Sequence, residues 1–255
     1  MQQQLPNMTS IKDAIKRYLE HHKRHSMQCR AALIDMDGVL YDSMPNHAEA
    51  WSRTLAPLGI DCTREDFFLL EGSTRRRTIN TFFNKTYGHD APEELSRALY
   101  DEKVRQFRQL KEASRMPHAD KMIASLLAHN VRTVLVTGSS QGTLLELLDN
   151  DYPKAFNMPY RITGEDVQHG KPSPEPYLMG LQRAGVNAHE AIVIENAPLG
   201  VEAGVAAGIF TIAVNTGPIK ADTLYDAGAD IVFDSMPHFA AHIDQLIETI
   251  NTLEI

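Results

Sequence analysis

The chain has 255 residues, of which 43% are hydrophobic, so it can form one large domain or two smaller ones around a substantial core. Its formal net charge of −8 argues against a general nucleic-acid or anionic-membrane surface, although a local basic pocket could still bind a phosphate group. We expect a globular protein, a monomer or a weak homo-oligomer, whose partner is a small molecule rather than a nucleic acid or a membrane.

Cysteine usage and hydropathy bear on the cellular compartment. The two cysteines, Cys29 and Cys62, lie far apart and show neither CxxC spacing nor the density of a disulfide framework. No run of about 18 apolar residues occurs, and residues 1–6 do not begin the hydrophobic region of a signal peptide. We therefore expect a cytoplasmic protein that does not span a membrane.

The first predicted element is a helix over residues 10–26, within an N-terminal helical extension formed by residues 1–28. Its apolar residues at helical spacing fall on one face: Ile11, Ile15, Tyr18 and Leu19. Most of its lysines and arginines lie on the other faces. A basic amphipathic helix can dock on a membrane or a partner, but a helix that rests on its own domain is the favoured interpretation.

An apolar run over residues 31–34 reads as a buried strand and is followed by two aspartates, Asp35 and Asp37. Because side chains alternate along an extended chain, both leave the strand on the same side. At an effective dielectric constant near 20, two like charges about 4 Å apart cost roughly 4 kcal/mol, so the pair needs a bound cation or a retained proton. Mg²⁺, a hard ion that prefers oxygen ligands, fits best.

The acidic and glycine-rich segments allow other interpretations. The two aspartates could be simple turn formers, because Asp and Gly favour turns for local reasons. A calcium-binding loop fails, since Val39 stands where the third ligand should be and Asn46 where the closing glutamate should be. A P-loop ending at Lys171 also fails, because Pro172 replaces the Ser or Thr that binds Mg²⁺.

The rest of the chain divides into a helical insertion and an alternating region. Residues 44–113 show helical periodicity with few strand-like runs. Beyond them, strands are predicted at residues 132–136, 161–163, 191–194, 211–214 and 231–233, and helices at residues 118–128, 141–149, 175–184 and 199–207. This alternation predicts an α/β fold, with a Rossmann-like parallel sheet formed by residues 29–43 and 114–255.

Polar residues at the ends of these strands form the candidate site, because ligands bind at the carboxyl ends of the strands in such sheets. Besides the two aspartates, the set contains Thr137, Gly138, Ser139, Lys171, Glu195 and Asn196. A carboxylate that attacks a phosphate dianion approaches like charge, and Lys171 with Mg²⁺ would offset the repulsion. The set therefore suits phosphoryl transfer through an aspartyl phosphate.

Each residue of the set can be given a role in that reaction. The Thr137 hydroxyl and the amides of Gly138 and Ser139 would bind phosphoryl oxygens. Asp37 would protonate the leaving oxygen and later deprotonate water. Glu195 and Asn196 would hold the metal opposite Asp35. Singly, these residues could be helix caps or surface residues, and their joint placement on strand ends favours the catalytic interpretation.

In motif order, about residues 29 to 236 resemble the haloacid dehalogenase-like superfamily, and within it the β-phosphoglucomutase-like branch of phosphatases and mutases. The resemblance implies that Asp35 is the nucleophile and Asp37 the acid/base, which also lends its backbone carbonyl to the metal. Thr137 and Lys171 match the second and third motifs. The fourth motif falls on residues 195–196, where Asn196 replaces the commoner aspartate and brings one fewer negative charge to the metal.

The resemblance also implies that residues 44–113 form a cap that closes over the substrate and expels water. His47 matches a histidine that couples cap closure to acid/base chemistry in the mutases. Arg75 matches their arginine for the distal phosphate, and Lys103 matches a substrate-facing lysine. Glu71 stands where the mutases tend to carry a basic residue, and it could hold a metal-chelated diphosphate or a water. Together with residues 195–196, that arrangement resembles the inorganic pyrophosphatase-like members of the branch. Ser140 replaces a lysine of the mutases.

The expected function is Mg²⁺-dependent hydrolysis of a small phosphorylated metabolite, either a sugar phosphate or pyrophosphate. One alternative is a β-phosphoglucomutase that interconverts β-glucose 1-phosphate and glucose 6-phosphate. An alternative of another class is a non-catalytic binding protein, against which the complete catalytic set argues.

Overall fold

The computed structural model describes residues 8–138 and 142–255, and its centre is a parallel sheet of six strands in the order β3-β2-β1-β4-β5-β6. The strands are β1 (Ala31–Ile34), β2 (Arg132–Val136), β3 (Arg161–Ile162), β4 (Ala191–Glu195), β5 (Phe210–Val214) and β6 (Ile231–Phe233). In the central register, Ile34 is the partner of Leu135 on one side and of Ile194 on the other. The predicted α/β class with a Rossmann-like sheet is confirmed.

The burial of strand β1 on both of its faces explains why the sheet needs helices on both sides. Its side chains are fully buried, and alternate residues enter different cores: Ala32 and Ile34 lie in one, Ala31 and Leu33 in the other. Parallel strands that are buried on both faces are continuous apolar runs, as observed here. The covering helices are α6 (Ala119–Ala128), α7 (Gly142–Asp151), α8 (Glu175–Ala184), α9 (Pro198–Ala206), α10 (Ala221–Asp226) and α11 (Met236–Thr252).

The sequence prediction missed α10 and α11. The apolar residues of α11 recur at helical spacing and are fully buried in the larger core: Phe239, Ile243, Leu246, Ile247 and Ile250. This spacing was available in the sequence. Gln141, the first residue of the predicted helix 141–149, lies outside the described residues.

The N-terminal helix α1 (Met8–His21) is shorter than the predicted helix 10–26. Lys23 has a φ of 51°, and the amide of Arg24 donates to the carbonyl of Leu19. This left-handed closing turn ends the helix, a conformation that the periodicity could not reveal. The apolar face of α1 is buried in the larger core and packs against α11, so the helix rests on the rest of the chain, as expected.

The helical insertion (residues 44–113) contains α2 (Met44–Leu55), α3 (Arg64–Leu69), α4 (Arg75–Tyr87) and α5 (Glu93–Arg108). These helices enclose an apolar cluster of their own. Where the chain enters and leaves the insertion, two backbone hydrogen bonds join the two passages. The amide of Asp42 donates to the carbonyl of Ser114, and the amide of Met116 donates to the carbonyl of Leu40. Among the described residues, no helix combines the length and the apolar character that a membrane crossing requires.

Candidate active site

A cavity of about 320 Å³ lies between the carboxyl ends of the strands and the helical insertion. Its lining includes most of the residues that the sequence nominated: Asp35, Asp37, Thr137, Gly138 and Lys171 from the core, and His47, Glu71, Arg75 and Lys103 from the insertion. Glu195 and Asn196 are buried and hydrogen-bond to two of these lining residues, Lys171 and Glu71. Ser139 and Ser140 lie outside the described residues.

Lys171 joins two of the nominated acids. Its Nζ atom donates to Asp35 Oδ1 and to Glu195 Oε1, each at 2.5 Å, and to the carbonyl of Val136 at 3.1 Å. Burial alone would lower the pKa of Lys171, but the two carboxylates outweigh it and hold that pKa well above its usual value. Lys171 is therefore a permanent cation beside Asp35.

The second oxygen of Asp35 has a different environment. Asp35 is 4% exposed, and its Oδ2 atom is buried with no hydrogen-bond partner among residues 8–138 and 142–255. Burial raises the pKa of Asp35, and the charges of Glu195 and Asp37 raise it further, while Lys171 opposes the rise. One oxygen is thus fixed by Lys171, and the other is available for bonding at the floor of the cavity.

Glu195 has both oxygens engaged with protein donors. Oε1 accepts from Lys171 and, at 2.7 Å, from the hydroxyl of Tyr177, and Oε2 accepts from the amides of Asn196 and Ala197. Gly200 makes room for it, because a Cβ atom there would lie 1.8 Å from Oε1. A direct bond from Glu195 to a metal would replace one of these hydrogen bonds.

Asp37 is held by a chain of three polar side chains. Its Oδ1 atom accepts from the Ser43 hydroxyl at 2.5 Å and lies 3.1 Å from His47 Nε2, while His47 Nδ1 lies 2.8 Å from Lys103 Nζ. Because the Lys103 ammonium can only donate, Nδ1 is the acceptor and Nε2 carries the proton. Burial alone would raise the pKa of Asp37, but His47 and Ser43 outweigh it and lower that pKa.

Glu71 and Gly72 bring the insertion into contact with the core. Asn196 Nδ2 donates to Glu71 Oε2 at 2.9 Å. Gly72 has a φ of 76°, and a Cβ atom there would lie 2.9 Å from Lys171 Cδ, so the turn lies directly on the lysine stem. Burial and the neighbouring carboxylates of Asp35 and Glu195 raise the pKa of Glu71 well above its usual range.

Arg75 is tied to the insertion rather than to the core. One guanidinium nitrogen donates to Glu93 Oε1 at 3.1 Å, and the group lies 5.9 Å from the ring centroid of Tyr100. Its Nε atom is buried and has no hydrogen-bond partner in the described segments. On the opposite wall, Thr137 is 3% exposed and lies next to Gly138.

Sequence reasoning did not nominate Ser43, Tyr177 or Trp51. Ser43 precedes α2 as a typical capping residue, yet it makes no cap hydrogen bond because its hydroxyl donates to Asp37. Trp51 follows His47 by four residues on α2, and the ring lies 5.8 Å from Lys103 Nζ. That i,i+4 spacing was a usable signal, because such residues share a helix face. Nothing local pointed to Tyr177.

Magnesium binding can be tested against the polar atoms of the site. Among the described residues, no group of three or more His, Cys, Asp and Glu side chains is arranged to hold a metal ion. Within the described part of the chain, three buried oxygens at the site nevertheless lack hydrogen-bond partners: Asp35 Oδ2, Glu71 Oε1 and Asn196 Oδ1. Two carboxylates and an amide are hard oxygen donors, so their chemistry fits Mg²⁺.

Comparisons with known proteins identify the family of the chain. Residues 32–214 match the family model described as haloacid dehalogenase-like hydrolase. The chain is 29% identical to hexitol phosphatase A of Escherichia coli over 82% of its own length and 93% of that protein. It is 30% identical to a phosphorylated carbohydrates phosphatase of Thermotoga maritima, over 70% of its own length and 82% of that protein.

A solved structure is also similar over nearly the whole chain. A candidate β-phosphoglucomutase of Bacteroides vulgatus superimposes with a TM-score of 0.91 at 43% identity, covering 96% of this chain and 99% of the other. The family match spans well over half of the chain and contains Asp35, Thr137, Lys171 and Glu195. The protein is therefore an enzyme of the haloacid dehalogenase-like hydrolase family, and its structure resembles the β-phosphoglucomutase-like members of that family.

Proposed function

We propose that the protein is a Mg²⁺-dependent phosphohydrolase that acts on a small phosphorylated metabolite through an aspartyl phosphate on Asp35. The observation that carries the proposal is the arrangement of Asp35. Its Oδ1 is hydrogen-bonded to Lys171, while its Oδ2 is buried at the cavity and has no partner among the residues that the structure describes. A carboxylate held in this way is oriented for attack on a phosphorus atom.

The residues support a two-step reaction. Asp35 Oδ2 forms a bond to phosphorus as the bond from phosphorus to the leaving oxygen breaks, and Asp37, in its protonated form, supplies the proton to that oxygen. Asp37 then takes a proton from water, and the hydroxide oxygen bonds to phosphorus as the Asp35–phosphorus link breaks, which releases phosphate. Lys171 balances the developing charge, and Thr137 offers a hydroxyl to a phosphoryl oxygen.

Mg²⁺ is the proposed cofactor. Asn196 and Glu71 would hold it through their unpartnered oxygens, together with the backbone carbonyl of Asp37. Asp35 would contribute Oδ1, the oxygen that does not attack phosphorus. When bound, the ion supplies positive charge that neutralises the phosphate and the acidic side chains. Glu195 acts in this proposal mainly by orienting Lys171, because its oxygens already accept hydrogen bonds.

Two substrate classes have specific support. Sugar phosphates are supported by the relatives, which are named as phosphatases of hexitol and carbohydrate phosphates. Pyrophosphate is supported by Glu71, because an acid at the cavity wall suits a metal-chelated diphosphate better than a bare second phosphate. We propose that residues 44–113 act as a cap over either substrate.

A β-phosphoglucomutase is the second candidate function. It is supported by the 43% identity to the Bacteroides vulgatus protein and by Arg75, which lines the cavity where a distal phosphate could bind.

Both cysteines are free, which fits the cytoplasmic setting that we also propose. We propose a monomer or weak homo-oligomer that acts on free small molecules.

The experiment is a phosphate-release assay on the purified protein with Mg²⁺. Pyrophosphate and a panel of hexose phosphates are the substrates, and conversion of β-glucose 1-phosphate is measured with and without a bisphosphate primer. We expect phosphate release that falls by about 10³-fold or more in Asp35→Asn, which keeps the shape but removes the nucleophile. Primer-dependent isomerisation without phosphate release would identify a mutase. A protein that binds these compounds without turnover would support the non-catalytic alternative.

A further inference from the structure

Two consecutive phenylalanines of α3 pack into different cores. Phe67 belongs to the cluster of the helical insertion, with its ring centroid 5.1 Å from that of Phe82 and 6.4 Å from that of Trp51. Phe68 is 3% exposed and belongs to a cluster whose other members come from the start of α2 and from the α/β core: Met44, Val201, Ala213, Ile219, Leu224, Ala229 and Val232. The insertion thus buries one aromatic ring in the core.

The ring of Phe68 occupies a space that a glycine leaves open. A Cβ atom on Gly217 would lie 2.4 Å from Phe68 Cδ1 and 2.7 Å from Cε1, closer than non-bonded carbon atoms approach. Gly217 is not among the residues with positive φ, so its backbone would accept alanine. The requirement for glycine there comes from the phenylalanine ring and not from the turn.

The segment that holds Gly217 is itself joined to the catalytic turn. The hydroxyl of Thr216 donates to the carbonyl of Gly38 at 2.7 Å, directly after Asp37. Asn215 donates from Nδ2 to the carbonyl of Ile219 at 2.8 Å, which closes the loop around Gly217. The place where Phe68 docks therefore has a defined position relative to Asp37.

Phe68 is also directly connected to the part of the insertion that reaches the site. The amide of Glu71 donates to the carbonyl of Phe68 at 3.5 Å, and Glu71 Oε2 accepts from Asn196 at 2.9 Å. The next residue, Gly72, lies on the stem of Lys171. A displacement of the Phe68 ring would therefore move Glu71 and Gly72 away from the core.

We propose that Phe68 is a positioning residue: its ring, docked in the space beside Gly217, holds the helical insertion on the core and thereby places Glu71 against Asn196. The part that concerns Glu71 rests on the proposed function. The docking of the ring does not, because it can be measured without any substrate. The residue acts through Glu71 and does not touch the cavity itself.

Docking can be measured through the single tryptophan of the chain. Trp51 lines the cavity on the insertion side and is 8% exposed, so undocking would open it to solvent. In the full-length protein, we expect Phe68→Ala and Gly217→Val each to raise the acrylamide quenching constant of Trp51 about twofold or more. Phe68→Leu, which keeps apolar bulk, should restore most of the protection. Leu69→Ala, an exposed neighbour on the same helix, is the matched control.

Activity provides the second measurement, with pyrophosphate and glucose 6-phosphate as probes in the presence of Mg²⁺. Phe68→Ala and Gly217→Val should each lower kcat/KM by about tenfold, mainly through kcat, because Glu71 is no longer held in place. In a Phe68→Ala background, Gly217→Val should have little additional effect, because the ring with which it clashes is gone. Melting temperatures identify any variant that fails to fold, and Phe68→Leu then remains informative.

The two proposals fail in different ways. Unchanged quenching of Trp51 in folded Phe68→Ala, or full additivity of the two substitutions, would overturn the positioning role whatever the activity. If the wild-type protein turns over no phosphate compound, the proposed function fails, and the quenching series still decides the role of Phe68.

Discussion

Two buried lysines face the same cavity from opposite sides and are held in opposite ways. Lys171 and Lys103 are both 3% exposed. In the core half of the site, the carboxylates of Asp35 and Glu195 hold the pKa of Lys171 well above its usual value. In the insertion half, the hydrogen-bond partner of Lys103 is the His47 ring, and burial lowers the pKa of Lys103 to about 8.

The difference indicates distinct tasks for the two halves. Lys171 is balanced by Asp35 and Glu195 and keeps them in place, as the proposed role of Asp35 as nucleophile requires. Lys103 is surrounded by the aromatic rings of Trp51, Tyr100 and Phe107, with 5.1 Å to the nearest ring centroid, so its charge remains available to an anionic substrate. Among the described residues, no carboxylate forms an ion pair with Lys103, and such a buried cation lowers the stability of a fold. We propose that it is retained to bind an anionic substrate.

The largest expected effect follows from Lys171→Met. The substitution leaves Asp35 and Glu195 buried side by side without their cation, so we expect kcat/KM to fall by about 10³-fold and the free energy of unfolding to fall by about 3–5 kcal/mol. Steady-state kinetics and urea unfolding measure the two effects. Lys121→Met, on the exposed surface of α6, is the matched control. A stable and active Lys171→Met enzyme would remove the contrast between the two lysines.

Lys103→Met should have the opposite effect on stability. Loss of the positive charge lowers kcat/KM by about 10- to 100-fold, chiefly through KM for anionic substrates. The free energy of unfolding should rise by up to roughly 3 kcal/mol, since the pKa of Lys103 falls from 10.5 to about 8 on folding and each pKa unit corresponds to 1.36 kcal/mol. Destabilisation of the same order would show that Lys103 has a structural role like that of Lys171.

Glu71→Gln tests the contact between the halves. Glutamine still accepts from Asn196 but brings no charge, so the Mg²⁺ concentration for half-maximal activity should rise about tenfold. Magnesium titration of phosphate release measures it, with Glu65→Gln on the exposed side of α3 as control. An unchanged magnesium requirement would place the metal entirely in the core half.

The smallest effect is a pH dependence of stability. Because the folded pKa of Lys103 lies below the unfolded value, the folded state loses this proton first, and the free energy of unfolding rises with pH above about 8. Between pH 8 and pH 9 the rise should be roughly 1 kcal/mol. Urea unfolding at both pH values measures it. The rise should be absent from Lys103→Met, and an equal rise in that variant would assign it to another group.

The core half could largely be predicted from the sequence. Asp35, Thr137 and Glu195 each lie at or directly after the end of a parallel strand, and β1, β2 and β4 are neighbours in the sheet. Apolar runs locate the strands, and parallel strands bring their carboxyl ends to one edge, so nearness follows from order along the chain. The end of α1 at His21 was not predictable in this way, because it depends on one left-handed residue.

The insertion half of the site could not be predicted in this way, because its geometry depends on contacts between distant parts of the chain. The hydrogen bond from Asn196 to Glu71 joins residues that are 125 positions apart, and that from Lys103 to His47 joins residues 56 positions apart. Sequence periodicity places such residues on helices and turns but does not orient one helix against another. The pairing of Phe68 with Gly217 belongs to the same class.

Local hydrophobic patterning and the geometry of parallel strands are enough to predict the parallel α/β sheet and the polar residues at its strand ends. The bonding of these residues became visible in the folded chain: both oxygens of Glu195 are engaged, Ser43 donates to Asp37, and Lys103 lies among aromatic rings. These contacts arise from the docking of the insertion on the core, where burial and charge depend on partners far away in the chain.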